Sequence, residues 1–194
     1  RSASLIHTLR VSVFRFASFA LLLGTFLGPR LQAQPVPSWA ADAVWYQIFP
    51  ERFRNGDPTN DPTVASLDFG QDMTTEDAWA ITPWTGDWYA QADWEAAIST
   101  FYDPPVFMRR YGGDLQGVID QLGYLDSLGV NALYFNPVFH APSMHKYDGA
   151  SFHHIDPYFG PDPEGDLALM AGETADPATW TWTSADSLFL QMLT

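Results

Sequence analysis

An α/β fold organised around a parallel βαβ unit is predicted by three features of the sequence. Two short apolar runs rich in β-formers, Val44–Phe49 (VWYQIF) and Val130–Phe135 (VNALYF), flank a stretch, Leu115–Leu128, whose apolar residues recur at intervals of three and four. The 194 residues are 46% hydrophobic and 15% aromatic, with no cysteine. That excludes a disordered, collagenous or disulfide-stapled chain, and the length suggests about one domain on the prior of roughly 100–200 residues each.

The first segment in order stands outside the fold. Arg10 and Arg15 precede the apolar run Phe16–Leu27, and small residues follow up to Ala33. Basic, apolar, then small is the order of a secretory signal peptide, so residues 1–33 are expected to direct export to the periplasm or medium and to be removed. The run is too short to cross a bilayer, which takes roughly 20 apolar residues, so no stable membrane insertion is expected. The expected leader runs almost directly into Trp39 and the first strand, with no separate domain between.

Val44–Phe49 is nearly continuously apolar and ends at Pro50, as a strand buried on both faces does. Leu115, Val118, Ile119, Leu122, Leu125 and Leu128 form one helical face, with Asp114 as N-cap and Gly129 just past the end. Val130–Phe135 is the second buried strand, stopped by Asn136-Pro137. The loop between the first strand and the helix is roughly 60 residues, far beyond the usual limit of about 12–15 for a connection without a role. It is rich in tryptophan (Trp79, Trp84, Trp88, Trp94), for which buried packing is the expectation over sugar stacking. Residues 184–193 read as a further helix with Ser184 as N-cap and no stop signal before Thr194, so the chain is expected to be a piece of a longer protein.

Charge narrows the partners. All 23 Asp and Glu lie after residue 33, against five Lys and Arg, and the formal net charge of the chain is −14. A body this acidic repels phosphate backbones, which argues against nucleic acid and for a neutral or cationic partner or a bound cation. Asn55-Gly56-Asp57-Pro58-Thr59-Asn60-Asp61 gathers side-chain oxygens in a segment whose Gly and Pro turn the chain. A hard cation such as Ca²⁺ takes six to eight oxygens at about 2.3–2.6 Å. The segment is not an EF-hand, because Ser66 stands where the bidentate Glu belongs. On residue chemistry alone two accounts stay open, a cation site or a plain turn. His153 and His154 are adjacent without HExxH spacing, so a catalytic zinc is not indicated, and Gly112, Gly113 and Gly117 do not form GxGxxG. His140 reads as a polar loop residue, and Asp156-Pro157 as a turn.

Three stretches carry a family resemblance: WYQIFPERFRNGDPTNDP, YGGDLQGVIDQLGYLDSLGVNALYFNPVF and APSMHKYDGASFHHIDPYFG. Together they resemble the α-amylase family, glycoside hydrolase family 13, nearest its neopullulanase and cyclomaltodextrinase branch. The resemblance implies that residues 34–194 are the N-terminal part of a (β/α)8 TIM barrel, supplying its first two strands, first helix and long βα loops and stopping before strand three. It implies a structural Ca²⁺ on Asn55, Asp57, Asn60, Asp61, the carbonyl of Gly112, and Asp114. It also implies that Tyr147 stacks on the glucose beside the scissile bond, with His145 near the substrate. From residue type alone, the alternative for Tyr147 is a ring packed under a loop. Met144 occupies a position where oligo-1,6-glucosidases carry Asp, so their grip on the terminal sugar is not implied. The family's Asp nucleophile, Glu acid/base and second Asp follow strands four, five and seven, so no acidic residue here is assigned a catalytic role. The implied activity is retaining hydrolysis of α-glucans or maltooligosaccharides. A glucan transferase of the same family, or a calcium-stabilised sugar-binding module, is the alternative.

Overall fold

The computed structural model describes residues 35–67, 79–84, 87, 89–98 and 108–194. The expected signal peptide and Trp88 lie outside the described residues. The chain divides into two units, 1–42 and 43–194. In the first, α1 (Ser38–Ala41) is a single turn. All that follows concerns the second.

The second unit is built on β1 (Trp45–Ile48) and β2 (Ala132–Phe135), paired in parallel with Trp45 opposite Ala132 and Ile48 opposite Phe135. Between them in sequence come α2 (Asp93–Ile98), in the long loop, and α3 (Leu115–Ser127), which joins that loop to β2. Parallel strands need such a crossover, because a tight turn can only reverse the chain. After β2 come α4 (Pro163–Met170) and α5 (Ser184–Met192).

The helix α3 starts where the Asp114 carboxylate accepts from the Gly117 N–H, and Gly129 follows it at φ +79°. Both ends are those expected from the sequence. Its buried Val118 and Leu125 pack with Ile48, and Tyr46, Leu133 and Phe135 close the same cluster. Those four strand residues alternate along β1 and β2, so they share one face of the pleat. The opposite face carries Trp45, Gln47 and Tyr134, all exposed. The expectation of strands buried on both faces is therefore corrected: α3 covers one face, and no described element covers the other.

A second cluster joins Leu115 to Val138, Ile155, Phe159 and Ala185, with Leu188, Phe189 and Met192 of α5 against it. The N-cap of α5 is Thr183, not Ser184. Thr183 forms a capping box with Asp186, each side chain bonding the other's backbone N–H, and that reciprocity outweighs what Ser184 could offer alone. Ser184 instead donates to Asp166 of α4, which ties the two helices together. A third cluster is built from Leu67, Trp79, Trp94 and Met108 of the long loop. Beside it Arg109 makes a two-pronged ion pair with Glu95 of α2. Trp79 and Trp94 are thus core residues as expected, whereas Trp84 is half-exposed and stacks on Tyr111 at 4.6 Å. Among the described residues no helix is long and apolar enough to cross a membrane.

Candidate functional site

Both loops that leave the C-terminal ends of the strands carry the residues of interest. The loop after β1 folds back onto the start of α3, and glycines permit the contact. A Cβ at Gly117 would lie 2.0 Å from the Arg54 carbonyl oxygen, and one at Gly113 would lie 1.9 Å from that of Pro50. Backbone bonds from Gly113 N–H to Glu51 and from Asp114 N–H to Arg54 fix the docking.

This docking gathers the oxygen-bearing residues. Asp114, wholly buried, accepts from the N–H groups of Gly56, Asp57 and Gly117 and from the Asn60 amide. The Asn55 amide donates to Asp61 Oδ1 at 2.6 Å. Gly112, at φ +70°, comes so near that a Cβ there would stand 2.3 Å from Asp61 Oδ1 and 2.5 Å from Asn55 Nδ2. Asp57 caps the 3-10 turn 58–60 through Thr59. Burial raises the Asp61 pKa against the lowering effect of the Asn55 amide, and the charges of Asp114 and Asp57 add to the rise.

Two features of this cluster fit a hard cation. Asn55 Oδ1 and Asn60 Oδ1 are buried without a hydrogen-bond partner, although each residue's NH₂ group is engaged. Rotating either amide would turn NH₂ toward the orphaned position and break its bond to Asp61 or Asp114. An oxygen so held costs about 1–3 kcal/mol unless something electropositive meets it. The donor set is also all oxygen, the kind Ca²⁺ selects. Asp114 is the exception within the set. A carboxylate has about four lone-pair sites, and those of Asp114 are taken by donors, so direct ligation there would displace one of them.

Tyr147 and His145 occupy the other loop. Tyr147 is 65% exposed, so the ring packed beneath a loop is not what the structure has. The reason lies one residue earlier. Lys146 has φ 60°, a left-handed conformation that costs an L-residue free energy. Its side chain turns inward to pair with buried Asp156 at 2.7 Å and to donate to the Ala141 carbonyl. With Lys146 pinned inside, Tyr147 points out. His145 is exposed, its ring 5.8 Å from that of Tyr147, and its Nδ1 accepts from the Tyr147 N–H. Ser143 bonds both His145 and Asp148 and rigidifies the turn.

The two loops meet at a common strut. The Asn60 amide donates to the Gly160 carbonyl at 3.0 Å, and Asp156 lies just upstream on the same segment. Between them a cavity of about 230 Å³ is lined by Glu51, Arg110, His140, Lys146, Asp156 and Tyr158, among others. Burial pushes the Glu51 carboxyl up to about 7, against the lowering effect of the Tyr111 N–H and nearby Arg110. Burial likewise lowers the His140 pKa. Sequence reasoning missed Glu51, Lys146 and the charge pairing of Asp156, because the partners lie far apart in sequence and follow no period.

The family described as "Alpha amylase, catalytic domain" matches residues 47–173. Neopullulanase 2 of Thermoactinomyces vulgaris is 45% identical over 134 residues, covering 69% of this chain and 18% of that protein. The intracellular maltogenic amylase of Bacillus subtilis is 40% identical over 128 residues, covering 66% and 16%. Among solved structures, a cyclic α-maltosyl-(1→6)-maltose hydrolase of Arthrobacter globiformis is 37% identical with a TM-score of 0.43, covering 70% of this chain and 23% of that one. The chain thus spans under a fifth of the length of these two curated relatives.

Proposed function

The chain belongs to the α-amylase family, and from that membership we propose that the complete protein hydrolyses α-glucosidic bonds in maltooligosaccharides or related glucans. β1, α3 and β2 are the opening βαβ unit of the family's (β/α)8 barrel. Active sites of such barrels form at the C-terminal ends of the strands, where the Tyr147 loop emerges. The observation that carries the reading is the outward Tyr147, backed by buried Lys146 and Asp156. A tyrosine ring offers a flat apolar face to the C–H face of a pyranose and a hydroxyl for its polar rim. His145, bonded to the Tyr147 backbone, sets the turn and stands ready to donate to a sugar hydroxyl.

The reaction proposed is a double displacement with retention, which needs two carboxyl groups about 5–5.5 Å apart. By family likeness those groups belong to later strands. The part of residues 44–160 is to orient the sugar before the cleaved bond.

Asn55, Asp57, Asn60, Asp61 and the Gly112 carbonyl would hold a Ca²⁺ ion, with Asp114 supplying charge beneath them and reaching the ion only by giving up a donor. Bound there, the ion supplies a fixed positive centre for oxygens that otherwise repel or stay unpaired. The bond from Asn60 to Gly160 passes this order to the strut that carries Asp156, and so to Lys146 and Tyr147. Export belongs to the same proposal and is supported by the basic, apolar and small-residue order of residues 1–33. One relative is named as intracellular, so export does not follow from family membership.

The complete protein is expected to release reducing ends from maltoheptaose, the α-anomer appearing first by proton NMR. Tyr147→Ala is expected to lower kcat/KM at least about tenfold, while Tyr147→Trp, which keeps a stacking face, retains most of it. No hydrolysis by the wild type, or full activity of Tyr147→Ala, would contradict the reading.

A further inference from the structure

His153 and His154 follow β2 on the segment that returns toward α4, and the chain brings Glu173 to both of them from just beyond that helix. Glu173 Oε2 lies 3.1 Å from His153 Nε2 and 2.8 Å from His154 Nε2. The three atoms all fall within 4.8 Å of one another. Each is held from behind. His154, 3% exposed, has its Nδ1 2.8 Å from Asp186 Oδ2. Asp186 is itself fixed by the N–H groups of Ile155 and Thr183. His153 has its Nδ1 3.2 Å from the Ser151 hydroxyl, and its ring lies flat on the Trp180 indole at 4.0 Å and 11°. The other oxygen of Glu173 accepts from the Thr181 N–H at 2.6 Å.

These outer contacts decide what the inner atoms can do. Asp186 accepts only, so His154 donates Nδ1–H to it and its Nε2 presents a lone pair in the neutral ring. Its contact with the Glu173 oxygen is a hydrogen bond only when Nε2 also carries a proton, as in the imidazolium, whereas His153 can donate Nε2–H to that oxygen as a neutral ring. A positive charge among the three atoms balances them, and a metal ion can supply it in place of that proton. A carboxylate bonded to the far nitrogen of a ligating histidine is the usual support of a metal-bound imidazole, setting both tautomer and ring direction.

We propose that His153 Nε2, His154 Nε2 and Glu173 Oε2 form a binding site for a borderline divalent transition metal ion of the zinc class, separate from the all-oxygen cluster at residues 55–61. Two imidazoles and one carboxylate select zinc over calcium or magnesium, which prefer oxygen. Zinc bonds of about 2.0–2.2 Å place tetrahedral ligand atoms roughly 3.3 Å apart. The present spacings of 2.8 and 3.1 Å need to widen by only a few tenths of an ångström. His153 keeps a third of its side chain exposed, so solvent can supply the fourth ligand. The bound ion braces the fold: it ties the segment after β2 to the 173–181 loop and, through Asp186, to the first turn of α5. The short-spaced motifs by which zinc sites are usually recognised are absent, since Glu173 stands 19 residues from His154.

The test is titration of the complete protein with ZnCl₂ under saturating Ca²⁺, which occupies any oxygen site first, followed by calorimetry and by substitution with Co²⁺. The wild type is expected to bind one equivalent of zinc at micromolar or tighter affinity and to develop the visible d–d bands of tetrahedral cobalt. His153→Ala and Glu173→Gln are expected to weaken zinc binding at least tenfold and to lose those bands, while Asp57→Asn keeps both. Circular dichroism checks that His153→Ala, whose side chain is partly exposed, retains the fold. Absence of saturable zinc binding by the wild type, or binding and cobalt bands unchanged in His153→Ala and Glu173→Gln, would overturn the proposal.

Discussion

At Glu51 a single carboxyl group controls part of the stability. It is 3% exposed, accepts from the Tyr111 and Gly112 N–H groups through Oε1, and leaves Oε2 without a hydrogen-bond partner. Burial is the main cause that lifts its pKa from 4.5 to about 7. Between those values the folded protein keeps the proton that the unfolded chain has released, so folding weakens as pH rises. The group is expected to cost about 3 kcal/mol of stability between pH 4.5 and 7, at 1.36 kcal/mol per pKa unit. Urea unfolding as a function of pH should show this decline in the wild type and its loss in Glu51→Gln, which keeps the Oε1 acceptor. An unchanged pH profile in the variant would sink the assignment. Nothing in the sequence marks Glu51, since its partners lie about 60 residues away and a lone Glu after Pro50 reads as a surface residue. Lys146 escaped for the same reason: a lysine in a polar loop reads as solvated until Asp156, ten residues on, is seen beside it. By contrast the gathering of Asn55, Asp57, Asn60 and Asp61 in one turned segment was legible, because a Gly/Pro-turned run of oxygens is local.

Helix α3 sets helix propensity against packing at two of its glycines. Gly123 has open space where a Cβ would sit, whereas at Gly117 a Cβ would strike the Arg54 backbone. Alanine is favoured over glycine by about 1 kcal/mol in a helix interior. Gly123→Ala is therefore expected to raise the thermal midpoint. Gly117→Ala is expected to lower it by several degrees, because the β1 loop must back away from the helix. Equal shifts of the same sign, measured by calorimetry, would contradict the docking. Among elements, β1, α3 and β2 could be read from period and caps, because Asp114, Gly129 and the apolar intervals are neighbours in sequence. Two features could not. The bare face of Trp45, Gln47 and Tyr134 looks like a buried strand in sequence, because apolar character records what a face is made for and not what covers it. The cap of α5 passed from Ser184 to Thr183 because the box needs its partner three residues past the cap, and Asp186 stands three past Thr183.

At the scale of the molecule, the chain has a net charge of −14 and two separate polar clusters that would be relieved by cations. One is made of oxygens alone and lies under the β1 loop, and the other contains imidazoles and braces α5. The first is linked to the Tyr147 loop, since it reaches through Asn60 and Gly160 to the segment whose Asp156 holds Lys146 and turns Tyr147 outward. A ligand that binds only the folded state stabilises it by an amount that grows with its concentration, about 2.7 kcal/mol at a hundredfold excess over Kd. The most direct measurement is the thermal midpoint of the complete, chelator-stripped protein in zinc-free buffer against added CaCl₂. The account predicts that the midpoint climbs with calcium in the wild type and stays flat in Asp57→Ala. A wild-type midpoint indifferent to calcium would contradict it.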